Sequence, residues 1–407
     1  MLWWLCLWMK GWIWRDRGGL LTAPIYRLMP SKVPPTPREP DPSCDGGDDA
    51  AADLVWACGV AACCGGIYYA TMYRKIAGGD SGDLVSTSCA LGVAHPPGYP
   101  LHTLLGAVFL RLLPWGTPAW RVNLVSVVAG AMAAAKVMRA SLWMLREADS
   151  RVLSVEPRAA DPHVTRWLAV LGAFSFALSP LVWRYSTHAE VFALNNLLAA
   201  WLVELALTFA YKQRALTNLL QLRCRDRRGA EEEKSCSIQA RSKALETEAR
   251  SAAVKAAFVM GLGVSNQHSF VLFALPAAVL ALIRSCRVAK ATGEGAREAV
   301  AEYGPKTWAT GRMTLLETNT LARLVVASAA GLSPYLYVMW AARDPPLSSW
   351  GETHTLQGFI THFFRREYGT FAVLPVAGGA PTRATMLEYL RAFAANLRCG
   401  RSLNPKP

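Results

Sequence analysis

Asp80 and Asp83 stand three residues apart in the stretch from Gly78 to Leu105, GGDSGDLVSTSCALGVAHPPGYPLHTLL. One helical turn would set both carboxylates on the same face, within reach of a single substrate. The stretch adds two histidines and a double proline, beside an apolar run long enough to cross a membrane. Polar groups at such a boundary are expensive, and they usually mark function. The segment His95-Pro96-Pro97-Gly98-Tyr99-Pro100 cannot continue a helix, because proline has no N–H and biases its predecessor toward extended geometry. The chain must turn there.

Competing chemistries fail on spacing. No two histidines share an HExxH or similar helical spacing, and Cys63 and Cys64 are adjacent where a zinc pair needs a gap. GGDSG lacks the Lys and Ser/Thr of a nucleotide phosphate loop, and a Ser81 nucleophile would need GxSxG where the chain has GDSG. No metal or cofactor is expected, and carboxylates remain the best candidates for chemistry. Their bland alternative is helix capping: Asp80 or Asp83 could cap a helix starting near Leu84. His95 could simply hydrogen-bond the turn.

The elements that must position these groups are membrane helices. Apolar residues make up 52% of the 407, mean hydropathy is positive, and the charges gather in blocks. Spans are expected near Leu54–Tyr73, Trp120–Trp143, Arg166–Trp183, Val191–Tyr211, Ala252–Val264, Ser269–Ile283 and Leu321–Trp340. Around them we expect an anchor or disordered linker over 1–53, a membrane domain over 54–341, and a partly helical tail over 342–407. The tail contains the apolar-faced segment Leu356–Phe364.

Basic residues favour the cytosolic side. Running Leu54–Tyr73 outward, and keeping 74–119 on the far side with Leu101–Leu113 as a skimming helix, places the basic loops after residues 143, 211 and 283 in the cytosol. That reading treats 211–250 as a solvated loop, and it accounts for the net charge of +14 without nucleic acid. Loop 74–119, the turn Trp183–Glu190, the break Ser265-Asn266-Gln267-His268 and the tail from Trp350 then emerge on one far surface. The ten cysteines make no disulfide framework, because Cys58, Cys63 and Cys64 fall in a span and Cys224, Cys236 and Cys286 in the cytosol.

The motifs GGDSGDL, LGVAHPPGYPLHTLLG, AWRVNL, HAEVFALNNL, SNQHS, GLSPYLY and SWGETHTLQGFITHFFRREYGTF follow one another from Gly78 to Phe371. This order resembles the transmembrane protein 260 family, membrane O-mannosyltransferases of GT-C architecture. The resemblance implies a multi-pass protein of the endoplasmic reticulum membrane that moves mannose from a dolichyl-phosphate donor to Ser or Thr of a luminal acceptor protein. It departs from the family at Asp83, where Glu is common. Family members also extend well beyond residue 407, so full activity is expected to need a downstream part.

Such a transfer needs a carboxylate to take the hydroxyl proton, cations to meet the departing phosphate, and an apolar groove for the lipid. Asp80 is the expected base, with Asp83 and Glu190 orienting acceptor or sugar. His95, Arg184, His188 and Arg365 are expected to meet the phosphate. Asn266 and His268 are further substrate-binding candidates, though a broken helix needs such residues for its own backbone. Glu190 could equally be a buried structural partner, and Arg365 could face lipid headgroups. A transporter, with midplane polar groups such as Glu190 and Asn266 on its path, is the rival reading. A non-catalytic membrane scaffold is the third.

Overall fold

A computed structural model describes residues 46–152, 161–226, 232–282, 318–346 and 349–366. Apart from residues 150–152, these lie in one compact unit. All of their regular structure is helical. In order they form α1 (Gly46–Thr71), α2 (Ser81–Ala90), α3 (Pro100–Leu112), α4 (Pro118–Val152), α5 (Pro162–Ala177) and α6 (Pro180–Tyr185). Then come α7 (Val191–Asp226), α8 (Glu232–Asn266), α9 (His268–Leu282), α10 (Thr318–Gly331), α11 (Pro334–Ala341) and α12 (Leu356–Phe363).

Among the described residues, three helices are long and apolar enough to cross a membrane: Asp49–Thr71, Pro118–Arg146 and Val191–Leu216. Helices α10 and α11, bent by 41° at the Leu332-Ser333-Pro334 break, make a fourth if taken as one span. The expected Arg166–Trp183 element is interrupted, because Pro180 cannot donate to the preceding turn and α6 starts anew there. The expected Ala252–Val264 element is the end of the 35-residue α8. Segment Ser269–Ile283 appears as the short apolar α9, and Leu101–Leu113 as α3.

The basic region after residue 211 is a correction. It is not a loop: α7 runs on to Asp226 and α8 starts at Glu232, packed against α7. Ala, Glu, Lys and Arg are strong helix formers, so this polar, charge-mixed sequence continues both helices. Helix α1 also starts earlier than its apolar run, at Gly46. Its first turns carry Asp49 and Asp53, which pair with Arg166, and Asp53 takes both Arg146 guanidinium nitrogens at 2.6 and 3.0 Å. These acid–base contacts hold α1 to α4 and α5 at the end away from the motifs. The anchor region 1–45 and the segment 283–317 lie outside the described residues.

Two large apolar clusters make up most of the core among the described residues. One joins α1, α4 and α5 through Cys64, Tyr68, Met138 and Ala173; the other joins α7, α8 and α9 through Leu198, Leu202, Val259 and Phe270. Helices α8 and α10 meet at glycines. A Cβ on Gly261 would lie 2.2 Å from the Ser328 carbonyl, and one on Gly331 the same distance from the Phe258 carbonyl. Backbones that close need small residues, and Ser265 and Ser328 hydroxyls bridge the crossing to the Gly331 and Ala257 carbonyls at 3.1 and 3.2 Å. The outward faces of α5, α9 and α10 instead expose Leu171, Leu275 and Val326, as lipid-facing helices do.

Candidate functional site

Helix α2 starts one residue after Asp80, which occupies the N-cap position without using its side chain as a cap. Its carboxylate is 57% exposed and has His95 Nε2 at 3.5 Å. The capping alternative therefore fails for Asp80: the group faces outward, free to meet a ligand. Immediately before it, Gly79 has a φ of +73°, and a Cβ there would lie 2.9 Å from Glu190 Oε1. Glycine lets the backbone come that close, and the Asp80 N–H donates to the same Glu190 oxygen at 3.2 Å. Glu190 is buried, and desolvation first, with the nearby Asp80 charge second, raises its carboxyl to about 7.

Asp83 lies one turn further along and is fully engaged. Its Oδ2 accepts the backbone N–H of His95 at 3.1 Å and lies 2.7 Å from His95 Nδ1. Its Oδ1 accepts the indole N–H of Trp350 at 3.1 Å. The predicted turn is present: Gly98 N–H donates to the His95 carbonyl at 2.8 Å, with positive φ at both Gly98 and Tyr99. His95 is thus fixed between the two aspartates, with Tyr99 5.0 Å away ring to ring.

The loops holding the two sides are stitched by a residue that the sequence reading left inside a motif. Asn123, fully buried near the start of α4, donates to the Tyr73 and Lys75 carbonyls at 2.8 and 3.3 Å and accepts from Ala189 N–H at 2.7 Å. Tyr73 N–H also donates to the Thr187 carbonyl at 3.0 Å. His188 is buried between the Tyr73 and Tyr185 rings, and burial lowers its pKa. Arg184 is exposed, with its guanidinium over the Tyr185 ring at 5.9 Å.

On the remaining side, the amide of Asn266 at the end of α8 donates to the Val191 carbonyl at 2.9 Å, while its buried Oδ1 has no partner. His268 Nε2 lies 2.7 Å from the Tyr335 hydroxyl, and its ring packs at a tilt against Phe363, centroid to centroid 4.5 Å. Desolvation, then the Arg365 charge, lowers His268 to about 4. Arg365, just after α12 with φ of +53°, also pulls against the burial that raises Tyr99 to about 12, so its charge is felt across the site.

The four separated segments therefore meet through named contacts: Asp80 with Glu190, Asn266 with Val191, His268 with Tyr335, Trp350 with Asp83. Sequence reasoning did not single out Asn123, Tyr99, Tyr335 or Trp350. All four lie in quoted motifs, AWRVNL, AHPPGYPL, GLSPYLY and SWGETH, and the polar or aromatic residues in those blocks were the available signal. Among the described residues, no group of three or more His, Cys, Asp and Glu is placed to hold a metal ion.

Residues 80–292, starting at Asp80, match the family described as the protein O-mannosyl-transferase TMEM260 N-terminal domain. The chain belongs to the TMEM260 family. It is 32% identical over 361 residues to the mouse protein O-mannosyl-transferase TMEM260, covering 85% of this chain and 40% of the relative. It is 30% identical over 326 residues to the Dictyostelium discoideum protein of the same name, covering 79% of this chain and 32% of the relative. The chain thus spans less than half the length of these TMEM260 relatives. No solved structure matches it. The TMEM260 domain match ends well before Trp350, which nevertheless bonds the Asp83 carboxylate near its start, and before Arg365, whose charge acts on Tyr99.

Proposed function

We propose that this TMEM260 family protein transfers mannose from a dolichyl-phosphate donor to Ser or Thr hydroxyls of an acceptor protein at the luminal face of the endoplasmic reticulum membrane. The proposal includes the GT-C architecture and about seven spans. The observation that carries it is the exposed Asp80 carboxylate, uncommitted to its helix and set against Glu190 in a family of O-mannosyl-transferases.

In one inverting displacement the acceptor hydroxyl oxygen bonds to the anomeric carbon as the bond from that carbon to the phosphate oxygen breaks. The electron pair leaves on the phosphate, and the hydroxyl proton goes to Asp80. Asp83 holds His95 beside Asp80 and does not touch substrate. Arg365 and exposed Arg184 supply positive charge for the departing lipid phosphate, where a fixed cation lowers the barrier most. Buried Glu190 supports the Asp80 backbone from beneath; Asn266 has an oxygen free for a sugar hydroxyl, while His188 and His268 shape the walls.

The test is transfer by purified protein offered a panel of lipid-linked sugars. Mannosyl phosphate lipid should support transfer to a Ser/Thr peptide, and the other sugars should not. A different preferred sugar, or none, would discard the reading.

A further inference from the structure

The contact between Trp350 and Asp83 joins residues 267 positions apart and gives the second oxygen of a carboxylate already holding His95 its own donor. We propose that Trp350 is a positioning residue of the transfer site, which fixes the proton of His95 on Nδ1 and leaves Nε2 to exchange a proton with Asp80. This rests on Asp80 being the base.

An indole N–H can only donate, so Asp83 Oδ1 must accept from Trp350. Oδ2 already accepts the His95 backbone N–H, which leaves it to receive the Nδ1 proton as well. With every contact on this carboxylate coming from a donor, the neutral imidazole carries its hydrogen on Nδ1. Nε2, 3.5 Å from Asp80 Oδ2, is then the nitrogen with a lone pair. The proton that Asp80 takes from the acceptor hydroxyl passes to Nε2, returning Asp80 to its basic form. Without Trp350 the Asp83 carboxylate would be held through Oδ2 alone, with nothing on Oδ1 to resist the spread of its broad terminal torsion.

The backbone that carries the indole is pinned beside His95. The Trp350 backbone N–H donates to the Val93 carbonyl at 2.9 Å, and Val93 N–H donates to Ser349 Oγ at 3.1 Å, two residues before His95. The segment then continues into α12, capped by Thr355 Oγ1 accepting from Gly358 N–H at 3.0 Å, and its Phe359 and Phe363 pack on Tyr335. His362 of α12 closes the far side of the turn, with its ring against Gly98. The indole itself stands edge-on to His95 at 6.3 Å.

Trp350→Phe in the full chain keeps the ring and removes only the donor. Turnover should fall about 10–100-fold, the worth of one hydrogen bond to a charged acceptor, with donor KM unchanged and only a small drop in thermal midpoint. In an Asp83→Asn background the same change should cost nothing more, because the carboxylate it steadies is gone. Spectra of protein with ¹⁵N-labelled histidine should show His95 protonated on Nδ1, and a tautomer mixture in Trp350→Phe. Wild-type turnover with an unchanged His95 spectrum, or losses that multiply in the double variant, would overturn the proposal. Should the unaltered protein transfer no mannose, the functional reading falls, while the His95 spectra still decide whether Trp350 sets the tautomer.

Discussion

The backbone N–H of Asp80 donates to a side-chain oxygen of Glu190, 110 positions away, at 3.2 Å. One carboxyl group thereby supports the peptide unit that presents another. The two do not share a role: Asp80 is open to solvent and Glu190 is sealed beneath it.

Asp80→Asn separates chemistry from architecture. Asparagine keeps size and hydrogen bonding but takes no proton, so turnover should fall about 10²–10⁴-fold while lipid-donor affinity holds. Because the native side chain makes no capping bond, the thermal midpoint should stay level too. Transfer and donor binding measured on one purified variant decide it; unimpaired turnover would remove Asp80 from the mechanism.

Glu190 should make stability depend on pH. Its carboxyl titrates at about 7 when folded against an ordinary 4.5. Below 4.5 it holds its proton folded or unfolded, and its contribution is intact. As pH rises from 4.5 to 7 the unfolded chain ionises first, so stability is lost, on the order of 3 kcal/mol by the upper end of that window. Glu190→Gln has nothing to titrate. The thermal midpoint of the native protein should therefore drop relative to Glu190→Gln between about pH 4.5 and about pH 7; a constant difference would contradict the assignment.

Gly261→Val should be severely destabilising, because even a Cβ meets the Ser328 carbonyl at 2.2 Å. The cost should reach roughly 3 kcal/mol, at the upper end of overpacking in a core. Gly59, with nothing within 4 Å of its added Cβ, provides the comparison: Gly59→Ala should leave the unfolding midpoint unchanged or slightly raised.

Orientation is tested by thiol labelling of sealed microsomes, whose cytosolic face points outward. Exposed Cys89 on α2 should react with an impermeant reagent only after permeabilisation, and Cys224 at once. The reverse order would place the motif surface in the cytosol.

The helical class and the convergence of four polar segments were legible because apolar runs and their polar breaks are written locally. Within the polar stretches Trp183 to Glu190 and Ser265 to His268 the helices break, at Ser186–Glu190 and at Gln267, and those interruptions became the site. Helix ends were less legible. Polar, charge-mixed sequence after residue 211 reads as loop by hydropathy and as helix by propensity, and propensity won. The roles of Asp80 and Asp83 could not be divided by spacing alone, since the division comes from Trp350, a partner 267 positions away. Asn123 was hidden for the same reason: its three bonds go to backbone groups about 50 and 66 positions distant.

That asparagine ties the loop before α2 to the loop before α7 with a single amide, from the second turn of α4. The jaw formed by Asp80 and Glu190 is thereby clasped at its hinge. Under the proposed transfer, a clasped jaw favours an acceptor hydroxyl carried on slack polypeptide over one embedded in a folded surface.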